Sequence, residues 1–176
     1  SIMIRFNKEQ AIVEIAGNII GGQPGEYATT LMGAIFYAGD NLVASTNSAE
    51  FNIEKATTII HNAQKMCKEV GINLILDIIC ATPEQAKAFI GFALDTCDLP
   101  ILMDGTTFEV KMAGLKTAQE RDAQDRIIYN AIQPSIKDNE LLQVSSMGFK
   151  NAIVMLVNQR DPTVKGKISI AQELIP

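Results

Sequence analysis

The sequence predicts an α/β protein in which the strands of one parallel sheet alternate with helices. From residue 72 onward, short apolar runs alternate with longer segments of helical periodicity. The runs are nearly continuous in apolar residues, without in-out alternation, which is typical of parallel strands covered on both faces, and helix-start signals precede the helical segments. The 176 residues, 47% hydrophobic and 20% charged, suffice for a single domain, residues 1–176, with a sizeable core.

Five core strands are expected, near residues 31, 74, 101, 127 and 153. The runs that predict them are residues 30–38, 72–79, 100–103, 126–129 and 152–157. Ahead of them, residues 11–16 with Ile19 and Ile20 fit a small hairpin across Gly17 and Asn18. Right-handed crossovers leave two architectures, an open doubly wound sheet or a (β/α)8 barrel, and a full barrel usually takes about 250 residues.

Local signals place the helices at residues 53–70, 82–97, 108–121, 139–147 and 164–174. Three cap candidates each stand three residues before an acidic or amide residue, as Thr82 before Gln85, Thr106 before Glu109 and Ser135 before Asp138. The first helix stops at Gly71. Its apolar residues share one face that should pack on the sheet: Ala56, Ile59, Ile60, Ala63, Met66, Cys67 and Val70.

Charge and hydropathy argue against two classes of partner. The net charge is −5, and no basic cluster is longer than a pair, so nucleic acid is not expected. The longest apolar run, residues 88–94, is far shorter than the roughly 18 to 20 residues of a membrane helix. The first residues lack the apolar core of a signal peptide. We therefore expect a cytoplasmic protein without membrane insertion.

The cysteines predict neither disulfides nor a metal centre. Cys67, Cys80 and Cys97 are odd in number, widely spaced and set among apolar neighbours, which favours buried thiols in a reducing compartment. The single histidine, His61, lies in a helix and is expected at the surface. With so few nitrogen and sulfur ligands and no Cys-x-x-Cys motif, no metal site is predicted.

The candidate site consists of polar residues that follow the predicted strands. They are Asp77, Asp104, Asn130 and Asn158. Ligands of parallel α/β folds lie beyond the carboxyl ends of the strands, although Asp and Asn are also common in turns and caps. Carboxylates together with amides suit a flat, neutral heterocycle that carries N–H donors, whereas an anionic substrate would require Arg or Lys. A donor-rich ring is therefore the predicted ligand.

A phosphate-binding loop is not indicated. Residues 21–25, Gly-Gly-Gln-Pro-Gly, do not follow a strand in a Gly-x-Gly-x-x-Gly pattern and include no Gly-Lys-Ser or Gly-Lys-Thr. They are interpreted as a rigid turn. No nucleophile and acid can be assembled around His61 into a catalytic triad.

Several short motifs carry a family resemblance. They are the segment around Gly-Gly-Gln-Pro-Gly-Glu at residues 20–27, Phe-Tyr-Ala-Gly within residues 33–39, Thr-Pro-Glu at 82–84, Asp-Gly-Thr at 104–106, Ile-Tyr-Asn-Ala-Ile at 128–132 and Ala-Ile-Val at 152–154. Over nearly the whole chain, the sequence resembles the H subunit of tetrahydromethanopterin S-methyltransferase and its bacterial relatives. Those relatives pass methyl groups from methylated corrinoid proteins to tetrahydrofolate.

The resemblance implies a (β/α)8 TIM barrel of the pterin-binding type, like that of dihydropteroate synthase. Because the family is longer than this chain, residues 1–176 would cover about the first five strand-helix units. Such enzymes hold the pterin with Asp and Asn at successive strand ends, and the matching positions are Asp104 and Asn130, with Asp77 and Asn158 as further pterin-binding candidates. In this hypothesis Asp104 anchors the aminopyrimidine edge, and Asn130 bonds the ring close to N5 as the catalytic residue.

The implied function is methyl transfer between a methylated corrinoid protein and a tetrahydropterin in one-carbon metabolism, with tetrahydrofolate preferred to tetrahydromethanopterin. A corrinoid signature of the form Asp-x-His-x-x-Gly would need an acidic residue where Ile59 stands, so the corrinoid is expected on a separate partner protein. A homodimer or larger complex is also expected. Two alternatives remain: a pterin-binding or docking subunit without turnover, and a pterin-condensing synthase, which would need basic residues for a pyrophosphate.

Overall fold

A computed structural model of the chain describes residues 4–37 and 39–175. A hairpin of β1 (Ile12–Ile15) and β2 (Asn18–Gly21) precedes the main sheet. The sheet strands are β3 (Thr30–Ile35), β4 (Asn73–Cys80), β5 (Ile101–Gly105), β6 (Ile127–Ile132) and β7 (Asn151–Val154). The helices are α1 (Ile53–Val70), α2 (Pro83–Thr96), α3 (Phe108–Gln119), α4 (Asp138–Ser146) and α5 (Val164–Leu174), with a short 3-10 turn at Gln124–Arg126.

The main sheet is parallel throughout, and its strand order, β3-β4-β5-β6-β7, follows the order of the chain. This confirms the predicted α/β class and all five strands. A doubly wound sheet reverses its strand order at a switch point, whereas successive strands of a TIM barrel are neighbours. The observed order is therefore compatible with part of a TIM-like barrel.

The two faces of the sheet differ in what covers them. On one face, side chains of β4 to β6 such as Ile78, Met103 and Tyr129 pack in the main core with residues of α1 to α4. On the other face, Ile75, Leu102 and Ile128 form a smaller cluster with Ile15 of the hairpin. The hairpin thus contacts the amino-terminal part of the second face. The carboxyl-terminal part of that face carries the polar strand-end residues.

Helix α1 has the predicted bounds. Asn52 caps it by accepting a hydrogen bond from the Lys55 N–H at 2.9 Å, and Gly71 ends it in the left-handed region at φ 71°. The predicted apolar face is only partly buried. Ala56, Ile60 and Cys67 are buried, while the exposed members are Ile59, Met66 and Val70.

Two of the three predicted helix caps are wrong. Thr82 does cap α2, accepting from the Gln85 N–H at 3.2 Å. Helix α3 is instead capped by Thr107, because Thr106 donates its hydroxyl to the Ala81 carbonyl at 3.2 Å. Helix α4 starts after Lys137 without a side-chain cap, since Ser135 lies inside a turn closed by the Ile136 N–H and the Gln133 carbonyl.

The strand boundaries also differ from the prediction, and β5 and β6 extend to Gly105 and Ile132, so Asp104 and Asn130 lie inside their strands rather than after them. Strand β3 ends at Ile35 because Phe36 has a φ of 66°, and Ala38, which was included in the prediction, lies outside the described residues. Strand β7 ends at Val154 rather than at residue 157. In the hairpin, Ile15 pairs with Asn18, so the turn is formed by residues 16–17 and not by residues 17–18.

The three cysteines are buried and free, as predicted. Burial raises the pKa of the Cys80 thiol, and the charges of Asp104 and Asp77 raise it further. These thiols are therefore small core residues rather than nucleophiles. Within residues 4–37 and 39–175, none of the helices combines the length and apolar character needed to cross a membrane.

Candidate functional site

Three of the four predicted site residues lie on one face of the sheet, near the carboxyl ends of neighbouring strands. Asp104 of β5 pairs in register with Asn130 of β6. Asp77 of β4 pairs with Leu102, two residues before Asp104, so it lies one step deeper on the same face. Side chains alternate along a strand, and these residues therefore share the face of the hairpin-side cluster. We call Asp77, Asp104 and Asn130 the strand-end triad.

Asp77 is a partly buried member of the triad with a raised pKa. Burial, followed by the nearby Asp104 charge, raises the pKa of its carboxyl group from 3.8 to about 6. Its Oδ1 atom is buried and has no hydrogen-bond partner in the described part of the chain. An orphaned buried oxygen of this kind marks a position where a ligand can supply the missing hydrogen-bond partner.

Asp104 and Asn130 are partly buried and lie side by side on the same face. The ladder to β7 shifts its register between Asn130 and Ile132, and the peptide bond between Asn130 and Ala131 is cis. A carboxylate beside an amide offers acceptors together with one N–H donor group. This pair can hydrogen-bond the mixed donor and acceptor edge of a flat heterocycle.

Asn158 is placed differently from the triad. It lies four residues beyond the end of β7, in the loop before α5. Its Oδ1 accepts from the N–H groups of Arg160 and Asp161, each at 3.0 Å, and its Nδ2 donates to the Gly166 carbonyl at 3.3 Å. The side chain of Asn158 thus hydrogen-bonds the backbone of the loop in which it lies and of the helix that follows. A role for Asn158 in ligand binding stays a prediction.

A polar recess, which the sequence did not reveal, lies on the helix side of the sheet, opposite the face of the triad. Its cavity of about 150 Å³ lies between the ends of β5 and β6 and the starts of α3 and α4. The Lys111 ammonium lies 5.0 Å from the centre of the Tyr129 ring. Burial lowers the pKa of Lys111, and burial together with the Glu140 charge raises that of Tyr129. These residues come from separate elements, so no sequence spacing links them.

The Phe-Tyr-Ala-Gly motif supports the end of β3. Phe36 is buried and stacks on Phe89 with ring centres 4.1 Å apart. Phe51 meets Phe36 edge-on at 5.0 Å and Phe89 at 5.3 Å. This aromatic cluster connects the end of β3 with helix α2 and with the loop that precedes α1. Its members are Phe36, Phe51, Phe89 and Phe92. The buried part of the motif therefore packs in the core.

The Gly-Gly-Gln-Pro-Gly segment is a turn, as predicted. The Gln23 side chain accepts from the Phe6 N–H at 2.9 Å and donates to the carbonyls of Phe6 and Lys8 at 3.2 and 3.1 Å. Gly21 has a φ of +103°, and an added Cβ would lie 2.4 Å from the Ala11 carbonyl oxygen. The segment thus ties the start of the chain to the hairpin.

His61 is exposed, as predicted, and its Nε2 lies 3.3 Å from the Thr96 carbonyl oxygen. No group of three or more His, Cys, Asp or Glu side chains that could hold a metal ion occurs in residues 4–37 and 39–175. The triad presents two carboxyl groups and one amide above an apolar floor of Ile75, Leu102 and Ile128.

The chain matches a known protein family along nearly its whole length. The sequence model of the family described as "Tetrahydromethanopterin S-methyltransferase MtrH subunit" matches residues 8–175. Similar curated proteins carry the name of the same H subunit of tetrahydromethanopterin S-methyltransferase. The protein of Methanothermobacter marburgensis is 37% identical over 171 residues, which are 97% of this chain and 55% of the relative. That of Methanocaldococcus jannaschii is 37% identical over 168 residues, 96% of this chain and 53% of the relative.

A third relative, from Methanopyrus kandleri, is 36% identical over 166 residues, which are 94% of this chain and 52% of the relative. The chain thus spans about half the length of the curated relatives that it matches. The family match, by contrast, leaves only a few residues of this chain uncovered. The chain therefore belongs to the MtrH subunit family of tetrahydromethanopterin S-methyltransferase.

Proposed function

We propose that this chain forms the pterin-holding part of a methyltransferase that moves a methyl group between a methylated corrinoid protein and a tetrahydropterin. The observation that carries the proposal is the strand-end triad, in which Asp104 and Asn130 are paired in register and Asp77 presents an orphaned oxygen. The relatives are named for tetrahydromethanopterin. Tetrahydrofolate, which we expected from the sequence, is the second pterin to test.

The triad fits the chemistry of a 2-amino-4-oxo-pterin. The amino group and N3–H of such a ring are donors that the Asp104 carboxylate can accept, in the manner of a bidentate pair. Asn130 lies on the neighbouring strand, and its amide supplies a further hydrogen bond. We assign this bond to the part of the ring near N5. The apolar floor beneath them suits a flat ring face.

The residues act by position and electrostatics. Methyl transfer is a displacement at carbon, and the corrinoid supplies the hard chemistry when its carrier protein docks. The chain's own task is to hold the ring so that N5 faces the strand-end rim, and to fix the hydrogen bond at N5 that governs its nucleophilicity. Neither task requires a histidine base or a metal ion.

We further propose that the sheet is part of a (β/α)8 barrel of the TIM type, which the rest of the family's sequence completes. Both faces of edge strand β3 carry exposed apolar side chains, Leu31 at 47% and Met32 at 55%. Beside it, α1 exposes Ile59, Met66 and Val70. An apolar cavity of about 350 Å³ also opens on the hairpin side of the sheet. Surfaces of this kind are covered in a closed barrel.

The proposed partner is a corrinoid protein that docks over the carboxyl-end rim of β4 to β6. A homodimer or larger complex fits the relatives, which are named as subunits. The buried free thiols are consistent with the reducing cytoplasm.

Calorimetric titration of the native protein with each tetrahydropterin tests the proposal. Asp104→Ala and Asn130→Ala should each weaken binding at least tenfold, because each leaves part of the ring edge without a partner. Asp98→Asn and Asn62→Asp change exposed residues outside the site and serve as matched controls. If both alanine variants bind within twofold of the native protein, the site assignment is wrong.

The alternative function is pterin binding without turnover, which the match to about half of each relative keeps open. Single-turnover mixing with a methylated corrinoid protein separates the two functions. Loss of the methylcobalt absorbance band together with formation of methylpterin supports the methyltransferase. Pterin binding without any change in the band would leave this chain as a binding subunit.

A further inference from the structure

Two carboxyl groups lie on the hairpin side of the sheet, and few positive charges lie near them. Asp77 and Asp104 lie on adjacent parallel strands, offset by two residues, and both are partly buried. Asp77 pairs with Leu102 on β5 and with Ala34 on β3, and β3 contains no ionisable side chain. Asp77 is thus set between apolar residues, and its orphaned Oδ1 has no donor in the described residues.

The charged groups around the pair do not offset it. On β6 the residue paired with Asp104 is the uncharged Asn130. Cys80 belongs to the other face of β4, and both carboxylates raise its thiol pKa. Lys111 of α3 interacts with the Asp104 charge, but it is partly buried over Tyr129, and burial lowers its own pKa. An ionised Asp77 beside the Asp104 charge is costly in such surroundings, and protonation of Asp77 removes most of that cost.

We propose that Asp77 is a neutral acid when the ring is bound and donates a hydrogen bond to the 4-oxo group, while Asp104 accepts from the ring N–H groups. This inference rests on the proposed pterin function and deepens it, because it makes Asp77 a specificity-determining residue. Together the two side chains recognise a ring edge on which an acceptor, the 4-oxo group, stands beside N–H donors. A ring with an amino group at position 4 presents a donor where Asp77 also presents one.

The proton makes binding dependent on pH in a definite direction. The carboxyl group of Asp77 is half ionised near pH 6 in the free protein. Above that pH, the ring must bind together with a proton taken from solvent, so affinity falls as pH rises. From about pH 5.5 to 7.5 we expect a loss of about tenfold or more for a 4-oxo ring. A 2,4-diamino ring presents a 4-amino donor that an ionised Asp77 can accept, so it should bind without protonation of Asp77.

Calorimetry with two ring probes tests this. The probes are 6,7-dimethylpterin and 2,4-diamino-6,7-dimethylpteridine, titrated into the native protein and into Asp77→Asn in buffers of different ionisation enthalpy. The native protein should take up about one proton with the first probe at about pH 7. Asp77→Asn keeps an N–H donor without a titrating proton, so its affinity for 6,7-dimethylpterin should be independent of pH. If Asp77→Asn retains the native pH slope and proton uptake, the inference is overturned while the pterin function stands.

A second measurement needs no ligand. In protein labelled with ¹³C at the aspartate carboxyl carbon, Asp77 should titrate well above the other aspartates, and Asp104→Asn should move its midpoint downward. An Asp77 midpoint near 4, or one that Asp104→Asn leaves in place, overturns the inference whatever the ligand. If neither probe binds at any pH, the pterin function fails, and the role of Asp77 as a donor to the bound ring falls with it.

Discussion

The two faces of the sheet differ: one buries a large apolar core, and the other carries the candidate site. On the helix side, Ile78, Phe89 and Ile101 are completely buried and belong to the large apolar core. On the hairpin side, the apolar cluster is small and gives way to the strand-end triad. The helix-side face therefore supplies most of the stability, while the other face carries the partly buried triad, in which burial raises the pKa of Asp77.

The largest expected effect comes from the helix side. Phe89→Ala removes a fully buried ring that stacks on Phe36 at 4.1 Å, and should lower the free energy of unfolding by about 3 to 5 kcal/mol. Urea denaturation followed by circular dichroism measures it. Phe6→Ala, at a ring that is 55% exposed, is the control and should cost no more than about 0.5 kcal/mol. A small effect of Phe89→Ala would show that the two faces do not differ as described.

The next effect belongs to the hairpin side and concerns binding. Asp104→Ala should lower pterin affinity by at least tenfold, or about 1.4 to 3 kcal/mol, because ring donors lose their acceptor. The free energy of unfolding should change by less than about 1 kcal/mol, since Asp104 is only partly buried. Calorimetry and denaturation on the same sample measure both quantities. A large loss of stability with unchanged affinity would make Asp104 a structural residue.

The pH dependence of stability sharpens the comparison further. The pKa of Asp77 rises from 3.8 in the unfolded chain to about 6 in the fold, so the folded state holds its proton more tightly. The contribution of Asp77 to stability is therefore largest below about pH 4, falls as pH rises to about 6, and is level above that. Because Asp77 keeps some contact with solvent, we expect a fall of about 1 to 2 kcal/mol.

Asp77→Asn should remove this fall, and denaturation at about pH 4, 5, 6 and 7 measures it. Asp98→Asn, at an exposed position, should leave the native profile unchanged. If the native protein and Asp77→Asn lose stability in parallel over this range, the raised pKa of Asp77 is not what makes stability depend on pH.

Features set by neighbouring residues could be predicted from the sequence. Helix α1 has the predicted bounds because Asn52 and Gly71 end it through local hydrogen bonds and a left-handed φ. All five strands could be located because each is a run of neighbouring apolar residues. The triad followed from these strands, since parallel carboxyl ends meet at one edge.

Features that depend on tertiary contacts were not predictable. Thr106 matched a cap motif, but its hydroxyl binds the Ala81 carbonyl just beyond the neighbouring strand, and Thr107 caps the helix. Lys111 and Tyr129 meet only because α3 packs over β6. The orphaned oxygen of Asp77 likewise depends on what surrounds it in space, so four similar strand-end residues in the sequence are unequal in the fold.

The smallest effect, at Asn158, tests that inequality directly. Its oxygen accepts two backbone N–H groups at 3.0 Å, and its amide donates to the Gly166 carbonyl. Asn158→Ala should therefore cost about 0.5 to 1.5 kcal/mol of stability by freeing the loop before α5, and leave pterin affinity within twofold. Asn62→Ala, at an exposed helical position, is the control and should change neither quantity. A tenfold loss of affinity in Asn158→Ala would instead assign this residue to the ligand site, because its loop hydrogen bonds would then hold it in position to contact the ring.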